Sequence, residues 1–472
     1  MKSNRISVDG VKFLPAIIDG NVDVLQNPNF IIVKRSWQPD QEAQSCPLCK
    51  VKFGGLKRRH HCRQCGHVVC NKCCNVKIPL PQLAIEEPEK ICESCQPVTA
   101  AVTRSRSHLA SMQLQSAVEL SGMCKSSVNL TKVFEYGGFH TLLAQSKVHL
   151  DTPNMNIMTH IISALHTLST CEPVQDFMVD TGIIRAICQV LDKVPGDKEQ
   201  ILLDGISSLV IYCKSKRFLP KVLEAGYLQV VLRLCCNTSD TVAVLSVSTL
   251  SLLVEDPSTH TAIIDGDKAA LQRILKLAAA ENPQMQAVAL KCLNYLSMGS
   301  DWNKHRIIQE DFTAGKPMKT ALQTETFNMQ VWANAACLVA NLATSAEDQA
   351  PLSDCLDCLV RLLKSDMTNV DLLSHVTRGL ANFAKFPQNS STVGTVLPTL
   401  VSKCLNHTDE TISKHALRAI LHLLVNQSDN TITELLIEGA SEVFKNIARN
   451  LDMTDAMFKV LQDLCPDMAR PL

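Results

Sequence analysis

A motif that ends a predicted helix recurs along most of this 472-residue chain at intervals of 41 to 46 residues. Each copy is a short, mainly apolar segment, such as Ala164–Leu168 or Ile420–Leu424. The copies end at Leu168, Tyr212, Leu253, Leu296, Leu342, Phe383 and Leu424. A second motif, a glycine before another helix, recurs at Gly138, Gly182, Gly226 and Gly266. Two independent motifs that share a period of about 42 residues predict repeats of two or three helices, each burying its apolar face on its neighbour.

The composition favours stacked helices over a sandwich or a barrel. Hydrophobic residues make up 46% of the chain and aromatic residues only 4%, so the core is built mainly from aliphatic side chains. A chain of 472 residues exceeds one ordinary core and predicts several domains or one long solenoid. From about residue 105 onward, apolar residues recur at i, i+3, i+4 and i+7, which is typical of amphipathic helices.

The helical region resembles armadillo repeats. Val331–Ala343 and Arg378–Ala384 are similar to the third helix of an armadillo unit. The resemblance covers about residues 114–451 and implies about seven or eight repeats, with HEAT repeats as the near alternative. It also implies a surface that binds a protein partner. The expected fold class is therefore mostly α, an armadillo/HEAT-like α-solenoid behind a small N-terminal domain.

Armadillo proteins that hold extended peptides carry a ladder of asparagines on this third helix. Asn341 and Asn382 match that ladder. Other residue types stand at the same register in the remaining repeats, namely Thr167, Ile211, Leu252, Tyr295 and Leu423. A peptide clamp along the whole groove is therefore not expected. A structural spacer with some partner surface is the alternative.

Cysteines near the N-terminus form four CxxC pairs. The pairs are Cys46/Cys49, Cys62/Cys65, Cys70/Cys73 and Cys92/Cys95. Two thiolates three positions apart can occupy two corners of one tetrahedral ion, so eight sulfurs predict two structural Zn²⁺ ions with no open coordination position. Spacing alone allows either sequential or interleaved pairing. A segment of about 60 residues with little apolar content needs such ions in order to fold.

The residues between these pairs resemble the FYVE zinc finger family. Trp37–Asp40 matches the family motif WxxD, and Arg58–Gly66 matches RRHHCRxCG. The third motif, RVC, is present as Lys90–Cys92, with lysine in place of arginine. The resemblance covers about residues 36–97 and implies an interleaved cross-brace. One zinc would then be held by Cys46, Cys49, Cys70 and Cys73, and the other by Cys62, Cys65, Cys92 and Cys95.

The resemblance implies a lipid ligand, phosphatidylinositol 3-phosphate. Residues 50–77 carry eight Lys or Arg and no Asp or Glu, a pattern that attracts anions. Arginine offers planar, bidentate donors that match phosphate oxygens. Lys90 keeps a positive charge at the third motif but loses that bidentate geometry, and its effect on lipid affinity is left open.

Seven residues form the headgroup site that the resemblance implies: Asp40, Arg58, Arg59, His60, His61, Arg63 and Lys90. Arg59, His61 and Arg63 are expected to face the phosphate. Asp40 and His60 are expected to bond the inositol hydroxyls, which would exclude lipids that are phosphorylated elsewhere on the ring.

The segment Phe53–Lys57 fits the membrane-inserting loop of the family, with Gly55, Leu56 and Lys57 at its tip. Leu56 is expected to enter the interface, and Lys57 to be attracted by anionic lipid. One leucine adds only a modest gain at about 0.8 kcal/mol per buried CH₂. Avidity from a homodimer or from a protein partner is therefore expected to support stable residence on the membrane.

Four regions are expected: an N-terminal leader (1–35), the zinc finger (36–98), a linker (99–113) and the helical repeats (114–472). Whether residues 99–120 pack on the repeats or act as a hinge is left open. No signal peptide or run of about 18 apolar residues is found, so we expect a cytoplasmic protein, peripheral on the early endosome membrane. In that compartment, 21 cysteines favour metal binding and buried thiols over disulfides.

The expected function is that of an adaptor or scaffold in membrane trafficking, which reads the lipid through the finger and a protein partner through the repeats. The alternatives are a FYVE-like finger acting as a small-GTPase effector and a RING-like ubiquitin ligase. Nucleic acid is not expected as a partner, because the chain has zero formal net charge. No GxGxxG, P-loop or GxSxG motif occurs, so an enzyme is not expected.

Overall fold

The computed structural model describes residues 5–20, 22–55, 57–265, 268–323, 328–366, 368–426, 431 and 433–434. The chain divides into two compact units, Met1–Thr249 and Leu250–Leu472. Three expectations fall at least in part outside the described residues: the motif glycine Gly266, the loop residue Leu56 and the part of the repeat region beyond residue 434.

The described part of the first unit begins with six short strands. They are β1 (Ile6–Val8), β2 (Val11–Phe13), β3 (Arg59–His61), β4 (Val68–Cys70), β5 (Val76–Leu80) and β6 (Ile85–Ile91). The strands pair antiparallel in three separate hairpins, β1–β2, β3–β4 and β5–β6. The small sheets leave little apolar core, so the region of β3 to β6 depends on its cysteines.

Ten helices follow in the described part of this unit. They are α1 (Gln96–Ser105), α2 (Ala110–Cys124), α3 (Ser127–Glu135), α4 (Gly138–Asp151), α5 (Met155–Ser169), α6 (Gln175–Thr181), α7 (Ile183–Lys193), α8 (Glu199–Cys213), α9 (Leu219–Glu224) and α10 (Tyr227–Leu234). Helix α2 packs on α5, and α5 packs on α8, while α4 and α7 pack beside α5 and α8 respectively. The long helices thus form one layer of a stack.

Helix α11 (Asp240–Val254) contains the point at which the units divide. The later helices are α12 (His260–Ile264), α13 (Lys268–Ala278), α14 (Pro283–Ser297), α15 (Asp301–Thr313), α16 (Pro317–Gln323), α17 (Met329–Leu342), α18 (Ser353–Lys364), α19 (Val370–Ala384), α20 (Ser390–Gly394), α21 (Leu397–Thr399) and α22 (Glu410–Asn426). Residues Leu400–Leu405 continue α21 as a π-helical turn. In this unit α14, α17, α19 and α22 stack successively.

The repeat predicted from the sequence is confirmed as a repeat of structure. All seven residues that end the motif copies are fully buried: Leu168, Tyr212, Leu253, Leu296, Leu342, Phe383 and Leu424. Each lies in one of the long helices α5, α8, α11, α14, α17, α19 and α22. A short helix, a second helix and a long third helix make one repeat, as in α6–α7–α8 and α12–α13–α14. Three helices per repeat favour the armadillo form over HEAT.

Glycine and asparagine set where these helices begin. Gly182 and Gly226 have φ of +105° and +77°, a region that other residues rarely adopt, and they start α7 and α10. Asparagine side chains cap several of the third helices: Asn154 Oδ1 accepts from Ile157 N, and Asn369 Oδ1 accepts from Leu372 N. Such caps satisfy backbone N–H groups that have no partner within the helix.

The leader packs on the other elements of the first unit. The Ala16 amide donates to Phe134 O at 2.9 Å, and the Phe13 ring lies 5.9 Å from that of Phe134. The Ile32 amide donates to Gln82 O at 2.9 Å, which connects the leader to the turn between β5 and β6. The leader is therefore an integral part of the first unit.

The segment 99–113 is mostly helical, although it is expected from the sequence to be a linker. It contains most of α1 and the start of α2, and α1 follows Cys95 directly. Val98, Ala101 and Val102 are fully buried, and α1 packs on α2 and α4. In the structure this segment therefore packs on the helices that follow it.

Candidate functional site

The eight paired cysteines converge on two points. In each group of four, all sulfur atoms lie within 4.8 Å of one another. One group is Cys46, Cys49, Cys70 and Cys73, and the other is Cys62, Cys65, Cys92 and Cys95. Four thiolates at this separation fit a tetrahedral zinc ion with Zn–S bonds of about 2.3 Å. The pairing is interleaved, which resolves the alternative that spacing left open, and the donor set is consistent with two zinc ions.

The β3–β4 hairpin produces this interleaving. Arg59 pairs with Cys70 in register, and Cys62 follows the last residue of β3. The hairpin therefore delivers one ligand to each metal site. The Cys92 amide donates to Cys62 Sγ at 3.2 Å, which joins the end of β6 to the second site.

Gly66 closes the turn that follows Cys65. Its amide donates to Cys62 O at 2.9 Å, and its φ is +75°. A Cβ atom at this position would lie 2.4 Å from Ser36 O. Glycine is therefore required both by the backbone conformation and by the close approach of the chain before Trp37.

Cys74 belongs to neither group. Its side chain is fully buried, and burial raises the pKa of its thiol to about 12. A thiol that remains protonated is a poor nucleophile and a poor metal ligand.

The two motifs that flank the first zinc pair meet around Trp37. The His61 ring stacks on the indole with centroids 4.6 Å apart and an interplanar angle of 17°. The Arg63 guanidinium lies 4.6 Å from the indole centroid. His61 Nε2 is 2.9 Å from Gln38 O and 3.5 Å from Asp40 Oδ1, so this nitrogen donates and the ring is oriented by the first motif. Trp37 itself is 54% exposed.

The other basic residues are held by separate contacts. Arg59 Nε donates to Ala43 O at 3.1 Å, and its guanidinium lies 5.1 Å from the Phe53 centroid. Lys90 Nζ donates to Asn71 Oδ1 at 2.9 Å. Burial, then the charges of Lys90 and Arg58, lower the pKa of His60. All seven headgroup residues expected from the sequence therefore lie on β3, beside it, or on the segments that pack against it.

Two residues that orient side chains of the headgroup site, Glu89 and Gln38, were not predicted from the sequence. Glu89 Oε2 lies 3.3 Å from Arg63 Nε. Gln38 uses its side-chain carbonyl to accept from Val68 N at 3.1 Å, in addition to orienting His61. The position of Gln38 inside the WxxD motif was an available signal. No sequence signal pointed to Glu89, because its partner Arg63 lies in the turn between β3 and β4, whereas Glu89 lies on β6.

The proposed membrane loop forms a tight turn. The amides of Gly54 and Lys57 exchange hydrogen bonds with each other's carbonyl oxygens at 3.3 and 3.0 Å. Gly55 and Lys57 are exposed. Leu56 lies outside the described residues, and its place at the tip stays a prediction from the sequence.

Among the described residues, no helix combines the length and the apolar character needed to cross a bilayer.

The fold and the metal sites define a class: a two-zinc cross-brace finger continued by helical repeats. Comparison with known proteins gives the finger its family. Residues 36–100 match the FYVE zinc finger family, so this part of the chain is a FYVE zinc finger.

Relatives of known sequence match over short segments. The phosphatidylinositol-3,5-bisphosphate 3-phosphatase MTMR4 of Homo sapiens is 42% identical over 82 residues, 17% of this chain and 7% of that protein. The zinc finger FYVE domain-containing protein 16 of Mus musculus is 39% identical over 89 residues, 18% and 6% respectively. A putative 1-phosphatidylinositol 3-phosphate 5-kinase of Drosophila melanogaster is 33% identical over 95 residues, 20% and 5% respectively. The chain thus spans 5 to 7% of these relatives.

Solved structures resemble the helical part. An engineered protein from the Northeast Structural Genomics Consortium has a TM-score of 0.52 at 18% identity, covering 80% of this chain and all of that one. A computationally designed armadillo repeat protein for modular peptide recognition has a TM-score of 0.45 at 21% identity. The match covers 51% of this chain and 99% of the designed protein. The first likeness shows a shared fold and, together with the three-helix repeats, makes this region armadillo-like. FYVE fingers and armadillo-like repeats are non-catalytic folds, and the phosphatase relatives match the finger alone.

Proposed function

We propose that this protein is an adaptor or scaffold that binds phosphatidylinositol 3-phosphate on endosomal membranes through its FYVE finger. Its armadillo-like repeats bind a protein partner. A role in membrane trafficking follows from these two activities. The observation that carries the proposal is the convergence of His61 and Arg63 on Trp37 beside a metal site, with Asp40 near His61 and Arg59 two residues before it on β3.

The chemistry of the cluster suits a phosphate monoester on an inositol ring. Arginine binds phosphate oxygens through two parallel N–H groups, which adds geometry to charge. Arg59 and Arg63 each use Nε for a protein acceptor, Ala43 O and Glu89 respectively, which orients the two guanidinium groups. The Asp40 carboxylate is an acceptor 3.5 Å from His61 Nε2, and we assign it to the inositol hydroxyls. His60, Arg58 and Lys90 add donors and positive charge at the edge.

Membrane contact would be shallow. The exposed turn at Gly55 and Lys57 offers little apolar area apart from Leu56. One small apolar tip and a few lysines give weak, reversible residence, so a second contact is needed for stable attachment. That second contact is assigned to a partner on the repeats or to a homodimer.

The lipid-binding interpretation is favoured over the two alternatives. A RING-type ubiquitin ligase normally uses a histidine among its eight ligands, whereas both metal groups here consist of cysteine alone. FYVE-like effectors of small GTPases usually lack the complete WxxD and RRHHCR motifs, and this chain has both.

Liposome sedimentation tests the proposal. Full-length protein is mixed with vesicles that contain phosphatidylinositol 3-phosphate, 4-phosphate, 4,5-bisphosphate or unphosphorylated phosphatidylinositol. Wild type is expected to pellet selectively with the 3-phosphate. Arg59→Ala with Arg63→Ala removes two charge-assisted contacts and is expected to weaken binding roughly 100-fold or more.

The matched control is Lys72→Ala with Lys77→Ala, which removes two exposed positive charges from the same finger. It is expected to retain the selectivity. Zinc content of each variant is measured to show that the finger is folded. Equal binding to all vesicles, or unchanged binding by a folded arginine double variant, would refute the proposal.

A further inference from the structure

Two arginines lie at equivalent positions on neighbouring third helices of the second unit. Arg378 on α19 donates through Nη2 to Cys337 O at 3.1 Å, and Cys337 lies 41 residues earlier. Arg418 on α22 donates through Nη2 to Arg378 O at 3.4 Å and to Asn382 Oδ1 at 2.7 Å. Each guanidinium therefore crosses the groove between its own helix and the preceding one. We call these two residues the arginine pair.

The arginine pair has no carboxylate partner within the described part of the chain. Neither Arg378 nor Arg418 takes part in an ion pair there, although Arg306 in the same unit pairs with Glu310 at 3.0 Å. Both arginines are half-buried, and the Nε atoms of both are buried with no hydrogen-bond partner. Partly buried cations that lack a counter-charge are costly to fold, and a bound anion would relieve that cost.

Three half-buried histidines surround the pair: His375, His415 and His422. Burial, followed by the charges of Arg418 and Arg378, lowers the pKa of His415 to about 4. Burial and the neighbouring arginine also lower the pKa values of the other two. The histidines are therefore neutral near pH 7 and offer hydrogen bonds rather than further charge.

Few other charged groups influence this surface. Asp371, which is exposed, acts on His375. Asp409 acts on His415, but its carboxylate already accepts from the amides of Thr411 and Ile412. Lys385, also exposed, acts on His422. The surface is net positive at its half-buried centre, where the two guanidinium groups lie.

We propose that the arginine pair binds an acidic segment of a partner protein, with Asp or Glu side chains seated on Arg378 and Arg418. This deepens the proposed function, because it rests on the partner-binding role assigned to the repeats. The ligand is a pair of carboxylates, because two guanidinium charges balance two monoanions. Nη2 of each guanidinium already donates a hydrogen bond within the protein, so the other donors remain for the ligand.

Geometry sets the spacing of the acidic side chains. Packed helices lie about 8–10 Å apart. An extended polyproline II segment advances about 9.3 Å in three residues and brings every third side chain to the same face. An extended segment with Glu or Asp at every third position therefore places one carboxylate on each arginine.

Fluorescence anisotropy with a defined probe tests this assignment. The probe is a fluorescein-labelled peptide of four Glu-Ser-Pro repeats, and the comparison peptide has Gln in place of each Glu. Full-length wild type is expected to bind the Glu peptide at least about tenfold more tightly than the Gln peptide. This comparison needs no variant, so it stands even if an arginine substitution impairs folding.

Variants then locate the site. Arg378→Gln and Arg418→Gln are each expected to lower the affinity for the Glu peptide about tenfold. Arg273→Gln removes the same charge from an exposed position on α13 and is expected to leave binding unchanged. Arg418→Lys keeps the charge and loses the planar fork, so an intermediate affinity is expected. Thermal unfolding of each variant reports whether it is folded.

The outcomes separate this inference from the lipid proposal. No vesicle is present, and the Arg59→Ala with Arg63→Ala variant is expected to bind the Glu peptide as wild type does. Equal affinity for the Glu and Gln peptides would overturn the inference, as would unchanged binding by folded variants of both arginines. The inference would also be overturned if the protein bound a phosphoserine-containing peptide but not the Glu peptide. It would be overturned as well if the Arg378 and Arg418 variants lost vesicle binding while they kept binding to the Glu peptide.

Discussion

At the scale of single residues, the finger depends on one aromatic and one glycine. Trp37 lets His61 and Arg63 sit side by side, since both contact its indole. Gly66 lets the chain before Trp37 approach the zinc-binding turn, and its amide completes that turn. Metal sites and headgroup residues are thus coupled through the same few positions.

Substituting Gly66 with alanine tests this coupling. The new Cβ would clash with Ser36 O and would force an unfavourable φ, so we expect a loss of roughly 2–4 kcal/mol of stability together with weaker zinc retention. Thermal unfolding and zinc titration measure both effects. Gly122→Ala, in open space on α2, is the control and is expected to retain zinc. Normal zinc affinity in Gly66→Ala would contradict the coupling.

His140 gives a second prediction at this scale. Its side chain is 2% exposed and lies 5.8 Å from Phe30 and 5.9 Å from Phe177. Burial lowers its pKa to about 4. Neutral His140 binds a proton less readily in the folded protein than in the unfolded chain. The stability of the folded protein is therefore not reduced by His140 above pH 6.5, and it falls progressively as the pH decreases towards 4. The shift corresponds to at most about 3 kcal/mol.

Urea unfolding at several pH values measures this loss. His140→Leu cannot be protonated, so the stability difference between wild type and the variant is expected to change in favour of the variant between pH 6.5 and 4. A constant difference across that range would show that His140 does not titrate in this way.

At the scale of elements, the sequence predicted the long helices well and their surroundings less well. The third helices follow from apolar periodicity and from asparagine caps such as Asn369, which act locally. Helix α1 was missed because it has only ten residues and directly follows the last zinc ligand, Cys95, and its buried face is defined by α2 and α4. The metal pairing was predictable only through resemblance, and Glu89 was not predictable, because its contact joins two hairpins.

Helix α1 is expected to connect the finger to the repeats without a flexible hinge. Val102 is fully buried in it, and the potential trypsin sites Arg104 and Arg106 are half-buried. Limited trypsin digestion of wild type is therefore expected to spare both arginines. Val102→Asp buries a charge, which is strongly destabilising, and is expected to permit cleavage there.

Mass spectrometry of the fragments identifies the cleavage sites. Val128→Asp introduces the same charge at a position that is 70% exposed on α3, so it serves as the matched control and is expected to be digested as wild type is. Rapid cleavage of wild type at Arg104 or Arg106 would indicate a hinge instead of a packed helix.

At the scale of the whole molecule, the two metal groups and the helical repeats depend on different forces. The finger has short hairpins and needs its zinc ions to offset the entropy of folding. The repeats bury many aliphatic side chains, and both groups of possible metal ligands found among the described residues lie outside residues 250–472. The chain also divides into two compact units, and both metal groups lie in the first.

Zinc removal is therefore expected to act locally. After chelation, hydrogen exchange should rise steeply across residues 36–100 and in the adjoining leader and α1, which pack against the finger. Peptides from α14, α17, α19 and α22 should keep their protection, because their stacked faces are made of buried aliphatic residues. Exchange measured by mass spectrometry, before and after zinc is restored, distinguishes a reversible local loss from damage. If chelation also increased hydrogen exchange in these four helices, the stability of the repeats would depend on zinc. The inference that zinc stabilises only the finger and the elements packed on it would then be wrong.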